Sequence, residues 1–285
     1  MITVAHSPDA DDIFMYYAIK LGWVSVEGAS FENIALDIET LNQEALKGTY
    51  DITAISFGLY PHIRNDYALL RTAVSFGEGY GPKLIKRKGA KLKRNFKVAL
   101  SGKYTTNALL FRLAYPDARV VYKNFLDIEP AVLCGEVDAG VLIHESILTF
   151  DESLEVEKEL WDIWCDLGGE GMPLPLGGMA LRRSLPLVKA IAYEKSLTDA
   201  VRLGNVSKPL LSRMLLERGL FRVDASKLET YLSMYANDAS VSMNETQLRA
   251  INHLFKLGFD HGVYDAPLDV HDFLIPTHYE TARFS

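Results

Sequence analysis

A histidine stands at the end of a short apolar run in the segment GEVDAGVLIHE, Gly135 to Glu145. Imidazole is the side chain that titrates closest to neutrality, which suits His144 to take up and return a proton. The segment leaves a helix at Gly135, passes the small residues Ala139 and Gly140, and continues as Val141, Leu142 and Ile143 before His144 and Glu145. A continuous apolar run between small and polar residues predicts a strand buried on both faces, as in parallel sheets. Open α/β sheets bind ligands beyond the carboxyl ends of their strands. The spacing therefore predicts that this strand delivers an imidazole to a ligand site. The same position also suits a histidine that merely hydrogen-bonds the strand end.

Three more apolar runs end in polar or small residues. The first ends in His6-Ser7-Pro8 ahead of a helix that Ser7 or Asp9 is able to cap, with Pro8 in its first turn. Another ends at Ser56, followed by Phe57 and Gly58. A further one ends in Ser101-Gly102-Lys103-Tyr104-Thr105-Thr106-Asn107, again ahead of a helix. One hydroxyl is enough for a cap, so the doubled Thr105-Thr106 points to a carboxylate or phosphate held at the helix N-terminus. Capping alone remains the plainer alternative.

Other constellations carry less. Asp9, Asp11 and Asp12 have the ligand chemistry for a hard divalent cation. Acidic residues in a first turn more often complement the helix dipole, so no metal is expected. His6, His62, His253, His261, His271 and His278 are scattered without an HExxH pattern, which argues against zinc. Gly77 to Pro82, GEGYGP, lacks the strand–GxGxxG–helix context of a dinucleotide site, and neither a GxSxG elbow nor a phosphate-loop lysine occurs. No cofactor is expected.

Bulk properties narrow the class. The chain has 285 residues and a formal charge of −7, which gives no electrostatic case for nucleic acid. The basic stretch Lys83 to Lys97, KLIKRKGAKLKRNFK, reads as a solvated connection between domains in preference to a phosphate-facing patch. Two cysteines, Cys134 and Cys165, form no CxxC or ligand pattern, so a reducing compartment is expected. The amino-terminal residues do not form a signal peptide, and no stretch has the length and apolarity of a membrane span. A cytoplasmic protein without membrane insertion is expected.

The elements that must position these residues follow from the pattern. Strands are predicted at 2–5, 34–39, 52–55, 97–100 and 120–122, and helices at 13–21, 41–47, 106–113 and 128–133. Segments 67–76 and 83–86 look extended around a glycine-rich turn. The stretch GGEGMPLPLGG, 168–178, breaks regular structure, its prolines holding it extended. Helices are predicted at 187–203, 209–216, 227–235 and 245–257, with Gly204, Gly219 and Gly258 as stops. Two βα sets joined by a basic link and a Gly/Pro return predict an α/β protein of two lobes with a ligand cleft between them. The chain would cross near residue 91 and return near residue 175. One lobe would hold 1–91 with 175–285, and the other 92–174.

Taken together, VDAGVLIHES (137–146), GMPLPLGGMALRR (171–183), LNQEALKGTYDITAISF (41–57), GYGPKL (79–84) and TTNALL (105–110) resemble the 1,4-dihydroxy-6-naphthoate synthase family of the futalosine route to menaquinone. The resemblance spans essentially the whole chain, and its most specific pieces are IHE and PLPLGG. It implies a two-lobed fold like type II periplasmic binding proteins and a lyase that acts on cyclic dehypoxanthinylfutalosine, a small molecule carrying a carboxylate. It places His144 on the family's catalytic base and Thr105 and Thr106 on its substrate-binding threonine pair. Ala54, Ile55 and Ser56 fall on the other binding stretch, and Asn42 on the asparagine of an LN motif, as a cleft residue. One departure stands at the amino terminus. Many members read SPCPNDxF, whereas this chain keeps Ser7, Pro8, Asp12 and Phe14 but has Asp9, Ala10 and Asp11 between them. Extra carboxylates facing the cleft would repel an anion, so Asp9 and Asp11 are left out of the expected site. Two alternatives stay open: chorismate dehydratase of the same pathway, and a small-molecule-binding protein without catalysis.

Overall fold

The computed structural model describes residues 1–7, 10–25, 29–217 and 224–279. Two sheets carry the fold. The first contains β1 (Ile2–His6), β2 (Phe31–Ala35), β3 (Ile52–Ser56), β4 (Tyr67–Leu69) and β5 (Ser75–Gly77). The second contains β6 (Lys83–Arg87), β7 (Lys97–Leu100), β8 (Arg119–Tyr122), β9 (Ala139–Leu142) and β10 (Leu154–Glu159). The chain then returns as β11 (Leu174–Arg182), giving spatial orders β2-β1-β3-β11-β4, with β5 also on β11, and β10-β6-β9-β7-β8. Around the sheets lie α1 (Ala10–Lys20), α2 (Ile38–Lys47), α3 (Tyr60–Ile63), α4 (Thr106–Ala114), α5 (Phe125–Leu133) and α6 (Leu160–Trp164). The carboxy-terminal part is helical: α7 (Leu187–Val206), α8 (Lys208–Glu217), α9 (Ala225–Tyr235), α10 (Asp238–Val241) and α11 (Glu245–Asp260). Among the described residues no helix is long and apolar enough to cross a membrane.

The interior strands are the ones without polar alternation. Every residue of β3 (ITAIS) and β9 (AGVL) is buried, because each strand has neighbours on both edges and cover on both faces. Gly140 is needed in β9: a Cβ there would sit 2.4 Å from Ile128 and 3.0 Å from Val132, so α5 lies directly on the strand. One apolar cluster links the sheets, joining Phe76 of the first, and Phe57 just past β3, to Leu84 and Leu100 of the second and Phe111 of α4. A separate cluster fixes α7 against the first sheet through Tyr193 and Leu197, packed with Val4 and Met15.

Several expectations need correction. Lys83–Arg87 is β6, a strand inside the second sheet, with Lys83 and Lys86 paired to Glu159 and Glu157 of β10. The passage between sheets therefore follows Gly77 and precedes the expected position near residue 91. Leu84 and Ile85, buried within that basic run, decide its place. Ile38 and Glu39 open α2 instead of closing a strand, because the Asp37 carboxylate caps the Thr40 N–H at 3.1 Å. Gly204 and Gly258 lie inside helices. At Gly258 a Cβ would come within 2.0 Å of the Tyr264 ring, so close packing explains that glycine. Gly219 and Asp9 lie outside the described residues, as does the side chain of Asp11. The Gly/Pro return is more than a break, since Leu174–Arg182 becomes an interior strand antiparallel to β3, β4 and β5. β10 was not anticipated; its LEVEKE alternation belongs to a charged edge strand.

The loop ahead of β5 is tied to α7 by one buried carboxylate. Glu194 accepts the Arg71 N–H at 2.8 Å and lies 3.6 Å from the Arg71 guanidinium. Burial pushes the Glu194 carboxyl above its ordinary range, with Arg71 opposing the shift. A carboxyl raised in the folded state contributes most at low pH and loses that contribution as pH rises through its folded value. Glu194→Gln keeps an acceptor for the N–H without a buried charge, so it should destabilise less than Glu194→Ala. The alanine variant should lose about 2–3 kcal/mol in urea unfolding at neutral pH. Relative to Glu194→Gln, the unaltered protein should gain stability as pH falls toward the ordinary carboxylate range. A pH-independent difference would contradict the buried-charge account.

Candidate functional site

The carboxyl end of β3, the start of α4 and the turn after β9 converge on one cavity. It offers about 730 Å³ of empty space counting its open mouth. Ala54, Ile55, Ser56, Thr105, Thr106 and His144 all line it. Asn42 does not. It is fully buried behind Ser56, where its Oδ1 accepts the Ser56 N–H at 3.0 Å and its Nδ2 donates to Ser56 Oγ at 3.1 Å. Asn42 thus orients a wall residue and is not itself on the wall.

The two threonines are engaged within the protein. Thr105 is the N-cap of α4: its Oγ1 accepts the Ala108 N–H at 3.1 Å and donates to the Gly102 carbonyl at 3.2 Å. Thr106 Oγ1 donates to the Leu176 carbonyl at 2.9 Å and accepts the Gly58 N–H at 3.0 Å. Both contacts of Thr106 reach from the second sheet's helix to the first sheet. Gly58 permits this, because a Cβ there would lie 3.0 Å from Thr106 Cα. Glu39 adds a further cross-link by accepting the Tyr104 N–H at 3.3 Å. With the hydroxyls so used, the donors left over at the helix end are the N–H groups of Thr106 and Asn107. These first-turn groups have no intrahelical acceptor and sit at the positive end of the dipole.

β9 ends at Leu142, so the histidine lies past the strand and not at its last position. Ile143 is extended, and His144 opens a 3₁₀ turn with φ of +57°. Among the described residues only Ala73 and His144 combine a side chain with a positive φ, and both line the cavity. A left-handed non-glycine residue costs on the order of 1 kcal/mol and persists where its surroundings over-determine it, most often at functional sites. The Ala73 N–H is held by the Ser240 carbonyl at 2.9 Å. The His144 ring packs edge-on against Phe125, centroids 4.9 Å apart.

The remaining wall was only partly foreseeable. Tyr231 and Tyr235 come from one face of α9, a helix expected from periodicity but not expected at the site. Ser7 and Asp12 join from the amino terminus, with the Ser7 N–H donating to Asp12 Oδ2 at 2.9 Å. Asn107 directly follows the threonine pair, and adjacency to that pair was the signal for it. No lysine or arginine is among the described residues of the wall. An anionic ligand would meet N–H groups, hydroxyls and the helix dipole in place of a salt bridge.

The Thr106 hydroxyl bonds are measurable. Thr106→Val should cost about 1–3 kcal/mol of unfolding free energy, since it leaves the Gly58 N–H without its acceptor in a buried setting. Thr106→Ser, which keeps the hydroxyl, should recover at least half of that loss. A valine variant as stable as the unaltered protein would show that the bridge carries little.

Comparison with known proteins agrees with this architecture. The family model for menaquinone biosynthesis matches residues 2–260. A 1,4-dihydroxy-6-naphthoate synthase from Thermus thermophilus is 30% identical over 261 residues, covering 89% of this chain and 92% of that protein. A crystal structure of a protein from Archaeoglobus fulgidus matches with a TM-score of 0.84 at 33% identity, covering 92% of this chain and 98% of the other. The periplasmic aliphatic sulphonate binding protein of Escherichia coli matches with a TM-score of 0.64 at 12% identity, covering 96% and 91%, which is a likeness of fold alone. The two sheets are thus the lobes of a periplasmic-binding-protein-like α/β fold, with the ligand cleft between them. By the family model and the length of the match, this chain belongs to the menaquinone biosynthesis family.

Proposed function

We propose that the chain is a cytoplasmic lyase with the activity of 1,4-dihydroxy-6-naphthoate synthase. It divides cyclic dehypoxanthinylfutalosine into 1,4-dihydroxy-6-naphthoate and a sugar-derived fragment. One observation carries the reading: His144, in a left-handed turn, shares a cavity with Ser56 and the N-terminus of α4. The near full-length similarity to the Thermus thermophilus 1,4-dihydroxy-6-naphthoate synthase supports the product, and the family resemblance implies the cyclic substrate.

On this reading the α4 N–H groups beside Thr105 and Thr106 hold the substrate carboxylate, and Ser56, oriented by Asn42, fixes the other end. His144 takes a proton from the substrate as general base. The electron pair released drives the bond cleavage that frees the sugar-derived fragment, and the imidazolium returns the proton to that fragment. Aromatisation of the remaining ring supplies much of the driving force. The formal change needs no redox cofactor. Positioning between lobes and exclusion of water provide the rest of the rate.

His144→Asn is the informative variant, because asparagine tolerates a left-handed backbone and cannot act as the base. It should fold normally and lose about two to four orders of magnitude in kcat, as should His144→Ala. Near-normal turnover of the cyclic substrate by either variant would remove His144 from the chemistry. Product formation from chorismate instead would favour the dehydratase, and binding without any product would favour a solute-binding protein.

A further inference from the structure

The three residues that open α4 do different work. The hydroxyls of Thr105 and Thr106 are both engaged by backbone groups. Asn107, next along, lines the cavity and is only 9% exposed, yet its Oδ1 has no hydrogen-bond partner among the described residues. A buried amide oxygen left unpaired destabilises the protein that carries it, so such a group calls for a partner from outside the chain. That partner has to be a donor. A carboxylate has only acceptors to offer, and its place is at the N–H groups of the helix start. Asn107 lines the cavity, so turning its amide toward a ligand would put an acceptor beside those donors.

We propose that Asn107 is a specificity-determining residue whose side-chain oxygen accepts a hydrogen bond from a ligand hydroxyl, while the adjacent α4 N–H groups take the carboxylate. The site then selects a hydroxylated cyclic acid over the bare acid of the same shape. This rests on the functional reading above, which supplies a ligand carrying both groups. Asn107 acts in binding and transfers no proton.

The test compares two aromatic acids on the full-length protein under reducing conditions. One is 1,4-dihydroxy-6-naphthoate; the other is 2-naphthoate, the same ring and carboxylate without hydroxyls. Fluorescence titration should show that Asn107→Leu weakens the dihydroxy acid by about tenfold and changes 2-naphthoate by less than about twofold. The ligand-free leucine variant should melt at or above the temperature of the unaltered protein, because an unpaired buried oxygen has been removed. Asn107→Ser, which is shorter and unable to reach as far, should show the same ligand selectivity if leucine proves too large. Equal losses for both acids would assign the amide to the carboxylate and overturn the proposal. So would unchanged affinities, or a lowered melting temperature in both variants, which would make Asn107 a structural residue. Turnover of the cyclic substrate by the unaltered protein is measured alongside. Its absence would refute the functional reading itself, a result distinct from turnover with no hydroxyl selectivity in the variants.

Discussion

The hydroxyl of Thr106 joins the two lobes at the cavity. It donates to the carbonyl of Leu176 and accepts from the N–H of Gly58, so the start of α4 is fixed to the end of β3 and to β11 at once. The Leu176 carbonyl also accepts the Phe57 N–H at 3.1 Å, which locks the turn after Ser56 to the same point. Gly177, paired in register with Ser56, leaves room for the backbones to meet: a Cβ there would lie 2.8 Å from the Ile55 carbonyl oxygen. The positions of Ser56 and of the helix N–H groups are therefore one geometric fact and not two. Such preorganisation is what a site needs to hold a ligand within a fraction of an ångström.

The chemistry of the wall follows from that arrangement. Because the described wall has no lysine or arginine, negative charge would be stabilised by oriented N–H groups and a helix dipole. In a water-poor cleft these fixed donors act more strongly than in solvent and need no reorganisation. The strain at Ala73 and His144 belongs to the same design. Each is braced from outside the cavity, Ala73 by Ser240 and His144 by Phe125, so the left-handed turns have support that the ligand need not provide.

Much of this was legible in the sequence, and the failures have identifiable causes. The strand 97–100 and the start of α4 at Thr106 were read directly, because burial and capping leave local marks. The carboxyl end of β9 was overrun by two residues, since hydrophobic periodicity is blind to the sign of φ and Ile143 continues the apolar run. The passage between lobes was placed late because the three basic residues of β6 outnumber its two buried aliphatic residues. Gly258 read as a helix stop because a ring packed against it leaves no trace in the local pattern. At the site, residue types pointed to Thr105 and Thr106 and the family resemblance to Asn42, but a one-dimensional pattern does not say which atoms are already engaged. That is settled by partners as far away in sequence as Leu176, 70 residues from Thr106.

The same lobed architecture is found in a periplasmic aliphatic sulphonate binding protein, as a likeness of fold alone. On the proposed reading, recognition falls to β3, α4 and β11, regular elements held together by the hydrogen bonds of Ser56, Thr106 and the Leu176 carbonyl. His144 belongs to none of them. It is set on a turn past the end of β9, in a left-handed conformation of the kind that persists most often at functional sites. On the proposed reading, a binding fold gains catalysis through a base placed on a left-handed turn of the wall, while the groups that hold the ligand stay on the framework.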